Sequence, residues 1–388
     1  MEQKRVRLEL LRYVKDKLHY FGNIEDVEME EIGDGNLNYV FRFTSLAAAK
    51  SLIIKKAEKC ARFSDDFKIP LTRTGIESFY IHSLNHLIGR YLPTLYGTDV
   101  ANGILAMEDL SNYKILRSEL MKFHTFPFLP EALVDALSKV LMGTTSYCME
   151  QVKREQMVGT LKDNPLNEII TKTLVFEEPY NNCYHRNNVL VMNQDYVQNE
   201  LYHDEALLKI STEYKEKFFS EKQALLHGDL HTGSIFIKED AFKFIDFEFS
   251  FWGPIGFDLG FLLANFIFAY ERACHDSSKE SKVFQAWMKE VILYVYPQFT
   301  KRSRKILCDA NVNQKEAERF LNEIMHDTIV YAGIELIRRT VGMANVKDIT
   351  TIAPLTERMN AERRIIQVAK KLMLEAKNWD DLKDIMSF

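Results

Sequence analysis

The chain contains the stretch His227-Gly-Asp-Leu-His-Thr-Gly-Ser-Ile-Phe-Ile-Lys238, followed closely by Phe242-Lys-Phe-Ile-Asp246-Phe-Glu248, and no other region is as informative about its fold and chemistry. It predicts a loop, a short strand, a turn and a second strand that ends in two acidic residues. Such an arrangement would hold Asp229 and the pair Asp246/Glu248 at one end of a small sheet. One carboxylate can then meet a hydroxyl group while the other two hold a metal ion, which is the layout of a phosphotransferase site.

Asp229 lies between two histidines, in a loop flanked by apolar residues. A carboxylate in such a loop can accept a hydrogen bond from a substrate hydroxyl and align that hydroxyl for attack on phosphorus. A Gly-Asp turn between apolar runs is also common in proteins where it has no catalytic role. The nearby acidic pair favours the catalytic interpretation, so we predict that Asp229 is the catalytic residue.

Asp246 and Glu248 follow a predicted strand, and residues two apart on a strand point to the same side. Two carboxylates with no His or Cys beside them favour Mg²⁺, a hard ion that completes its shell with phosphate and water. The alternative is a polar edge strand. The phenylalanines around the two acids make that alternative weaker, because an acid among apolar side chains needs a compensating partner.

The first hundred residues predict a small antiparallel sheet with one helix after an N-terminal helix. Helical patterns occur at 4–20 and 73–87, and strand patterns at 27–32, 38–44, 51–55 and 104–107. The sequence Gly33-Asp-Gly-Asn36 is a hairpin signal, and its glycines could also let backbone N–H groups approach phosphate oxygens.

Lys55 ends an apolar strand pattern, from which its ammonium group can reach nucleotide phosphates. Glu77, in the following helix, is its natural ion-pair partner. The alternative for Lys55 is an ordinary solvated lysine.

After residue 108 the sequence shows long helical patterns, at 133–158, 214–223, 257–270 and 284–296. The expected fold class is therefore α+β, with a smaller sheet domain that precedes a larger, mainly helical one.

Arg338 and Arg339 lie in the segment 329–343, which is apolar on nearly every face and is therefore a buried helix. Neighbouring helical residues point about 100° apart, so at most one arginine aims directly into a cleft unless the helix ends there. The alternative pairs both arginines with Glu335, three and four residues earlier. Burial of two guanidinium groups favours a functional role.

The composition excludes several classes of protein. A formal net charge of −5 over 388 residues gives no basic field for nucleic acid or anionic lipid. The five cysteines contain no Cys-x-x-Cys pair, which argues against a disulfide framework and a structural zinc site. We see no signal peptide and no apolar run of membrane-spanning length, so a cytoplasmic protein is expected.

Several of these motifs together resemble the 5-methylthioribose kinase family, which lies within the aminoglycoside and choline kinase-like phosphotransferases. They are Gly33-Asp-Gly-Asn-Leu-Asn-Tyr-Val-Phe41, Ile54-Lys55, Met107-Glu-Asp-Leu110, His227 to Ser234, Asp246-Phe-Glu248, Trp252-Gly-Pro-Ile-Gly-Phe-Asp258 and Glu335-Leu-Ile-Arg-Arg-Thr340. The Asp-x-Glu sequence and the twin arginines discriminate most, whereas the Gly-Asp-Leu-His loop is shared by the wider group. The resemblance spans nearly the whole chain.

The resemblance implies a two-lobed protein kinase-like fold, with an ATP-binding lobe at 1–107, a hinge at 108–111 and a catalytic lobe at 112–388. It implies ATP and Mg²⁺ as cofactors and phosphorylation of the anomeric hydroxyl of methylthioribose, in methionine salvage. The family is homodimeric, so a homodimer is expected as well.

The resemblance also assigns roles to residues of this chain. Asp229 would orient or deprotonate the hydroxyl, and Arg338 and Arg339 would bind the substrate and the transferring phosphoryl group. Glu77 would support Lys55, and Asp246 and Glu248 would be the metal ligands. The residues expected to bind ATP are Asn38, Lys55, Glu108, Asp109, Leu110, Asp246, Phe247 and Glu248. Ser234 departs from the pattern, because protein kinases have a metal-binding Asn five residues after the catalytic Asp.

Three alternatives stay open at this point. A kinase of the same fold could act on another small alcohol, such as choline or an aminoglycoside, although a cationic substrate favours an acidic cleft. A metallohydrolase could use the ligand-like spacing of His227 and His231, but needs further histidines to converge on the metal. A kinase fold without catalysis could serve as a binding module, which intact Lys55, Asp229, Asp246 and Glu248 argue against.

Overall fold

A computed structural model gives the fold and describes residues 2–21, 26–32, 37–61, 64–161 and 164–388. The chain divides into two compact units, Met1–Asn112 and Tyr113–Phe388. We refer to them as the first and second unit. The division of the chain into an ATP-binding lobe, a hinge at 108–111 and a catalytic lobe stays a prediction.

The first unit is built on an antiparallel sheet whose strand order is β1-β2-β3-β7-β6. Its elements in chain order are α1 (Glu2–Tyr13), which continues as a wider helical turn over Val14–Leu18, β1 (Val27–Glu31), β2 (Asn38–Ser45), β3 (Lys50–Ala57), β4 (Cys60–Ala61), β5 (Ser64–Lys68), α2 (Arg73–Ile88), β6 (Leu95–Asp99) and β7 (Ile104–Glu108). Strands β4 and β5 form a separate pair. The predicted strands and helices of this unit are therefore present, whereas the predicted hairpin at 33–36 lies outside the described residues.

The two faces of β3 have different surroundings. Leu52 and Ile54 belong to the apolar cluster that also contains Leu10 of α1. Ile53 packs in a second cluster with residues of β7. Because side chains alternate along a strand, Lys55 shares the face of Ile53 and not that of α1.

The second unit is mainly helical. Its first elements are β8 (Lys114–Ile115), α3 (Leu116–Leu120), α4 (Leu129–Gly143), α5 (Gln151–Thr160), a π-helical stretch at Asn167–Glu177, α6 (Glu178–Asn181), α7 (Gln194–Val197), α8 (Glu205–Ser220) and β9 (Ala224–Leu226). They are followed by β10 (Ile235–Ile237), β11 (Phe242–Phe244), β12 (Phe251–Gly253), α9 (Ile255–Cys274), α10 (Lys279–Asp309), α11 (Gln314–Val341), α12 (Lys347–Thr350), α13 (Leu355–Leu374) and α14 (Trp379–Met386).

Two small sheets hold the acidic motifs of the second unit. Strand β10 lies between β11 and β8, and β9 pairs with β12, all antiparallel. The Asp229 loop therefore joins one sheet to the other, and Asp246 and Glu248 follow the edge strand β11. Ordered strands on both sides restrict the loop to a narrow range of positions.

Helices α9 and α11 pack closely because α9 has glycine at the contact. A Cβ atom at Gly260 would lie 2.6 Å from the carbonyl oxygen of Thr328, and one at Gly256 would lie 2.5 Å from Cβ of Asp327. Any larger residue would push the helices apart. The close packing fixes α11, whose C-terminal turn carries Arg338 and Arg339.

All four helices predicted after residue 108 have different bounds in the structure, since those at 257–270 and 284–296 are the longer helices α9 and α10. The other two differ for reasons that are visible in the structure. The helix expected at 133–158 is two helices, α4 and α5, because the hydroxyls of Thr144 and Thr145 hydrogen-bond to carbonyls in the last turn of α4. The helix expected at 214–223 begins at Glu205, where Asp204 caps it, and ends at Ser220. Side-chain hydrogen bonds to the backbone set these helix ends, and the periodicity of apolar residues carries no information about such bonds.

Within the ranges described above, no helix combines the length and the apolar character needed to cross a bilayer.

Candidate active site

The loop that carries Asp229 is anchored to α9. It contains Gly228 at φ +85°, where a Cβ atom would lie 2.1 Å from the carbonyl oxygen of Phe249, so glycine is required. The carboxylate of Asp258 accepts the backbone N–H groups of His227 at 2.6 Å and Gly228 at 3.0 Å. Burial raises the pKa of Asp258 to about 7, and the two N–H groups oppose that shift because they favour the ionised form.

After Asp229 the loop closes on itself in a 3₁₀ turn, Thr232–Ser234. The N–H of Gly233 donates to Nδ1 of His231 at 2.9 Å, and the N–H of His231 donates to the hydroxyl of Ser234 at 3.0 Å. That hydroxyl lies 3.1 Å from the carbonyl oxygen of Asp229, to which it can donate. The side chain of Ser234 is therefore used to shape the loop.

Two arginines flank the carboxylate of Asp229. Nη1 of Arg338 and Nη2 of Arg339 lie 3.7 and 3.6 Å from the same oxygen, Oδ1. Helix α11 ends at Val341, two residues after Arg339. Because the helix ends so close to the two arginines, both guanidinium groups can approach Oδ1 of Asp229, as the sequence allows for a helix end.

The same arginines are also ion-paired with Glu335, which was the alternative to a functional role. The pairing with Glu335 and the approach to Asp229 are both present, so the two interpretations do not exclude each other. Its carboxylate accepts from Arg338 at 2.9 Å and from Arg339 at 2.8 Å, and its side chain is fully buried. One buried carboxylate thus balances part of the charge of two buried cations, and Asp229 supplies a second negative charge beside them.

Asp229 is ionised at neutral pH. Its side chain is 24% exposed. Burial on its own raises the pKa, but His231 and the two guanidinium groups outweigh burial and hold the pKa of Asp229 well below its ordinary value. The ring of His231 lies 3.4 Å from Asp229, and burial lowers the pKa of His231. A carboxylate of such low pKa is a weak base, and it suits the task of accepting a hydrogen bond and aligning a hydroxyl.

A half-buried arginine that the sequence did not indicate supports this loop from outside. Arg117 of α3 donates to Asn265 at 2.8 Å and to the hydroxyl of Thr232 at 3.3 Å, and lies 3.4 Å from Asp348. Burial lowers the pKa of Arg117, and Asp348 opposes that shift. Its partners are 115 and 148 positions away in sequence, so no local motif contains them. The sequence likewise does not indicate that Asp258 anchors the loop, although Asp258 ends one of the motifs that resemble the kinase family.

The acidic pair after β11 is placed differently from the prediction. The strand ends at Phe244, Asp246 has the left-handed backbone values φ 65° and ψ 58°, and Phe247–Phe249 form a 3₁₀ turn. The expectation that strand alternation orients Asp246 and Glu248 is therefore wrong, because neither residue lies in a strand. Asn164 donates to the carbonyl oxygen of Glu248 at 2.9 Å and so helps to fix the turn.

The described part of the chain contains no cluster of three or more His, Cys, Asp or Glu side chains that could hold a metal ion alone. A zinc hydrolase needs such a cluster. The ring nitrogens of His227 and His231 also have other contacts, since each Nδ1 accepts a backbone N–H and Nε2 of His227 lies 2.8 Å from the carbonyl oxygen of Ile245. These observations argue against the metallohydrolase.

In the first unit, the predicted ion pair between Lys55 and Glu77 is present. Nζ of Lys55 donates to both carboxylate oxygens of Glu77, at 2.8 and 3.0 Å, and both residues are buried. Asn38 is buried too, and its Oδ1 accepts from Arg73 at 2.9 Å. The alternative of a solvated Lys55 is therefore wrong.

Of the hinge residues expected to bind ATP, Glu108 and Asp109 have side chains engaged within the first unit. The carboxylate of Glu108 accepts the N–H of Thr94 at 2.9 Å, and that of Asp109 accepts from Arg42 at 3.1 Å. Leu110 is buried. Adenine contacts at these positions would therefore fall to the backbone.

The chain resembles known proteins along most of its length. Residues 171–278 match the model of the phosphotransferase enzyme family known as APH. A methylthioribose kinase from Geobacillus sp. (strain WCH70) is 32% identical over 92% of this chain and 88% of the relative. One from Bacillus mycoides (strain KBAB4) is 33% identical over 94% and 91% of the two chains.

Among solved structures, a glucosamine kinase superposes with a TM-score of 0.50 at 9% identity, over 91% of this chain and 82% of that chain. At this identity the likeness concerns the fold alone. It confirms the predicted α+β class with the two-lobed protein kinase-like fold.

Proposed function

We propose a function from the premise that this chain belongs to the methylthioribose kinase family. The chain transfers the γ-phosphoryl group of ATP to the anomeric hydroxyl of 5-methylthioribose, in methionine salvage. The products are ADP and 5-methylthioribose 1-phosphate. The observation that carries the proposal is the ionised carboxylate of Asp229 between Arg338 and Arg339.

In this proposal Asp229 is the catalytic residue. Its carboxylate accepts a hydrogen bond from the anomeric hydroxyl and turns the hydroxyl oxygen toward phosphorus. Because its pKa lies well below the ordinary value, Asp229 takes the proton late, as the new O–P bond forms. That order suits phosphoryl transfer, whose transition state is loose and needs positioning more than deprotonation.

Arg338 and Arg339 bind the substrate and the charge on the transferring phosphoryl group. Both guanidinium groups are held in place by Glu335 before any substrate arrives, so little reorganisation is needed. Two cations beside the acceptor site also disfavour cationic acceptors such as choline or an aminoglycoside. A neutral sugar is the better match.

Asp246 and Glu248 are the proposed magnesium ligands. Two carboxylate oxygens, without a third protein ligand among the described His, Cys, Asp and Glu residues, suit an ion that keeps water and phosphate in its shell. When bound, Mg²⁺ would neutralise charge on the nucleotide phosphates. Asn164 holds the turn that presents Glu248.

The first unit is proposed to bind ATP. Lys55, supported by Glu77, would pair with the phosphates, and Asn38 would donate a further hydrogen bond. Backbone groups at 108–110 would contact adenine. In the second unit, Phe247 is likewise proposed as a nucleotide-binding residue. A homodimer in the cytoplasm is also proposed, with no nucleic acid or membrane partner.

The proposal is tested by ADP release from ATP and Mg²⁺, with methylthioribose, ribose, choline and kanamycin compared as acceptors. We expect turnover with methylthioribose well above the others, and its loss in Asp229→Asn. Turnover with another alcohol only would overturn the substrate but not the phosphotransferase. Inactivity with every acceptor, together with bound zinc, would overturn both.

A further inference from the structure

The ring of His231 is pinned by the backbone of its own loop. Its Nδ1 accepts the N–H of Gly233 at 2.9 Å. A Cβ atom on Gly233 would lie 2.8 Å from Cε1 of His231 and 3.2 Å from Nη1 of Arg117. The ring therefore lies directly on the 3₁₀ turn, with the half-buried cation Arg117 behind that turn, and glycine is needed to make room for the ring.

This contact fixes the position of the imidazole proton. A neutral imidazole carries one proton, and a nitrogen that accepts a hydrogen bond leaves that proton on the other nitrogen. Burial and the neighbouring cations lower the pKa of His231 and favour the neutral ring, although Asp229 opposes that shift. The proton of His231 is therefore on Nε2.

The two oxygens of Asp229 have different neighbours. Oδ1 lies beside the two guanidinium groups, whereas Oδ2 lies 3.4 Å from Nε2 of His231. Such a separation is long for a hydrogen bond, and catalytic contacts commonly shorten when substrate binds.

We propose that His231 is a positioning residue, whose Nε2–H donates to Oδ2 of Asp229 and sets the rotation of the catalytic carboxylate. With Oδ2 held by this donor and Oδ1 by the arginines, the carboxylate plane has one orientation. This inference rests on the proposed function for the role of Asp229, but the proton position is a property of the free protein.

The proposal also excludes a proton relay through His231. As the substrate oxygen bonds to phosphorus and the bond to ADP breaks, the hydroxyl proton passes to Asp229 and from there to the product phosphate or to solvent. Nε2 already carries a proton and Nδ1 is used by Gly233, so neither nitrogen can accept it. His231 keeps its own proton throughout.

Two substitutions separate positioning from a purely structural role. The amide of Asn overlaps Nδ1 of histidine, so His231→Asn can still accept the N–H of Gly233 but offers no donor to Asp229. The amide of Gln overlaps Nε2, so His231→Gln keeps a donor for Asp229 and loses the contact with Gly233. We expect kcat to fall about ten- to a hundredfold in His231→Asn and by a smaller factor in His231→Gln, with little change in KM for ATP.

The reverse order of activity would show that the loop contact alone matters, and it would overturn the proposal. Folding of each variant is checked by thermal unfolding, and kcat is measured below the unfolding transition. A kcat of His231→Asn equal to that of the wild type would likewise overturn it.

The proton position is measured directly by long-range ¹H–¹⁵N correlation spectra of histidine-labelled protein at neutral pH. The signal of His231 is identified by its absence from His231→Asn. We expect a protonated Nε2 and an unprotonated Nδ1. A proton on Nδ1, or on both nitrogens, overturns the inference. Because this measurement needs no substrate, its result is independent of the methylthioribose assay. The failure of the His231 inference and the failure of the proposed function can therefore be distinguished.

Discussion

At the scale of single residues, the site depends on buried charges that balance each other. Arg338 and Arg339 share the fully buried carboxylate of Glu335 and both approach Asp229. A buried charge that loses its partner costs far more than the pair contributes. Glu335 is thus as important to the site as the residues proposed to touch substrate.

We predict that Glu335→Gln lowers the free energy of unfolding by about 3 kcal/mol, because two buried guanidinium groups lose their main counter-charge. It should also lower kcat at least about tenfold, since the arginines lose their fixed positions. Urea unfolding and the kinase assay measure the two effects. The matched control is Glu362→Gln, which removes a buried carboxylate that pairs with Arg358 on α13.

The control should lose stability and keep its kcat at temperatures where it is folded. If both variants lose kcat equally, the effect of Glu335 is general destabilisation and not positioning of the arginines.

The sequence predicted the residues proposed to touch substrate better than the residues that hold them in position. Asp229, Arg338 and Arg339 stand in local patterns whose residue types suit the chemistry, so they were found. Arg117 and Asp258 act through residues remote in sequence, and no local pattern contains both partners. Such contacts arise only when the tertiary fold forms.

At the scale of elements, His275 links α9 to α13 in a way that depends on pH. Its Nε2 lies 3.0 Å from Glu271 on α9 and its Nδ1 lies 2.8 Å from Glu357 on α13. Glu271 is also paired with Arg364. Hydrogen bonding to Glu271 raises the pKa of His275, burial opposes the shift, and Glu357 adds to it.

Because the pKa of His275 is higher in the folded than in the unfolded chain, its stabilisation is fully present below about pH 6.5, the ordinary value for histidine. It is lost as the pH rises through the folded pKa. We predict that His275→Gln lowers the free energy of unfolding by about 1 kcal/mol at about pH 5.5, and by less at about pH 8.5. Urea unfolding at the two pH values measures the difference.

His203→Gln is the control, because His203 is exposed and its ring contacts the neutral Gln198. It should show no such trend. A deficit of His275→Gln that is equal at both pH values would mean that packing, and not charge, links the two helices.

Element boundaries were predicted less well than element types. Apolar periodicity gave the helices and strands, since burial of one face is encoded locally. The break between α4 and α5, and the left-handed turn at Asp246, depend on hydroxyl-to-carbonyl bonds and backbone conformation. Asp246 and Glu248 illustrate the consequence of a wrong boundary. Their residue types suit a metal site, but the prediction of their orientation assumed a strand that ends at Phe244.

At the scale of the whole molecule, the proposal assigns the sugar to the second unit and gives ATP a phosphate-binding lysine in the first unit. Lys55 and Glu77 lie in the first unit and Arg338, Arg339 and Asp229 in the second. A ligand that binds only the folded state stabilises it by an amount that depends on its concentration relative to Kd. Stability measured with each ligand therefore tests which residues bind ATP and which bind the sugar, without requiring turnover.

We predict that saturating MgATP and saturating methylthioribose each stabilise the wild type, by about 2.7 kcal/mol at a hundred times Kd. The variant Lys55→Met/Glu77→Gln removes the first-unit pair without leaving a buried charge, and should lose only the response to MgATP. Arg339→Met should lose the response to the sugar and keep most of the response to MgATP, because Arg339 stabilises the phosphoryl group mainly during its transfer. If one variant lost both responses, or if MgATP stabilised the Lys55 variant as much as the wild type, the assignment of ATP to Lys55 and of the sugar to Arg339 would be wrong. A sugar response that appears only after MgATP is added would instead show that the two sites are coupled, because independent sites must each respond alone.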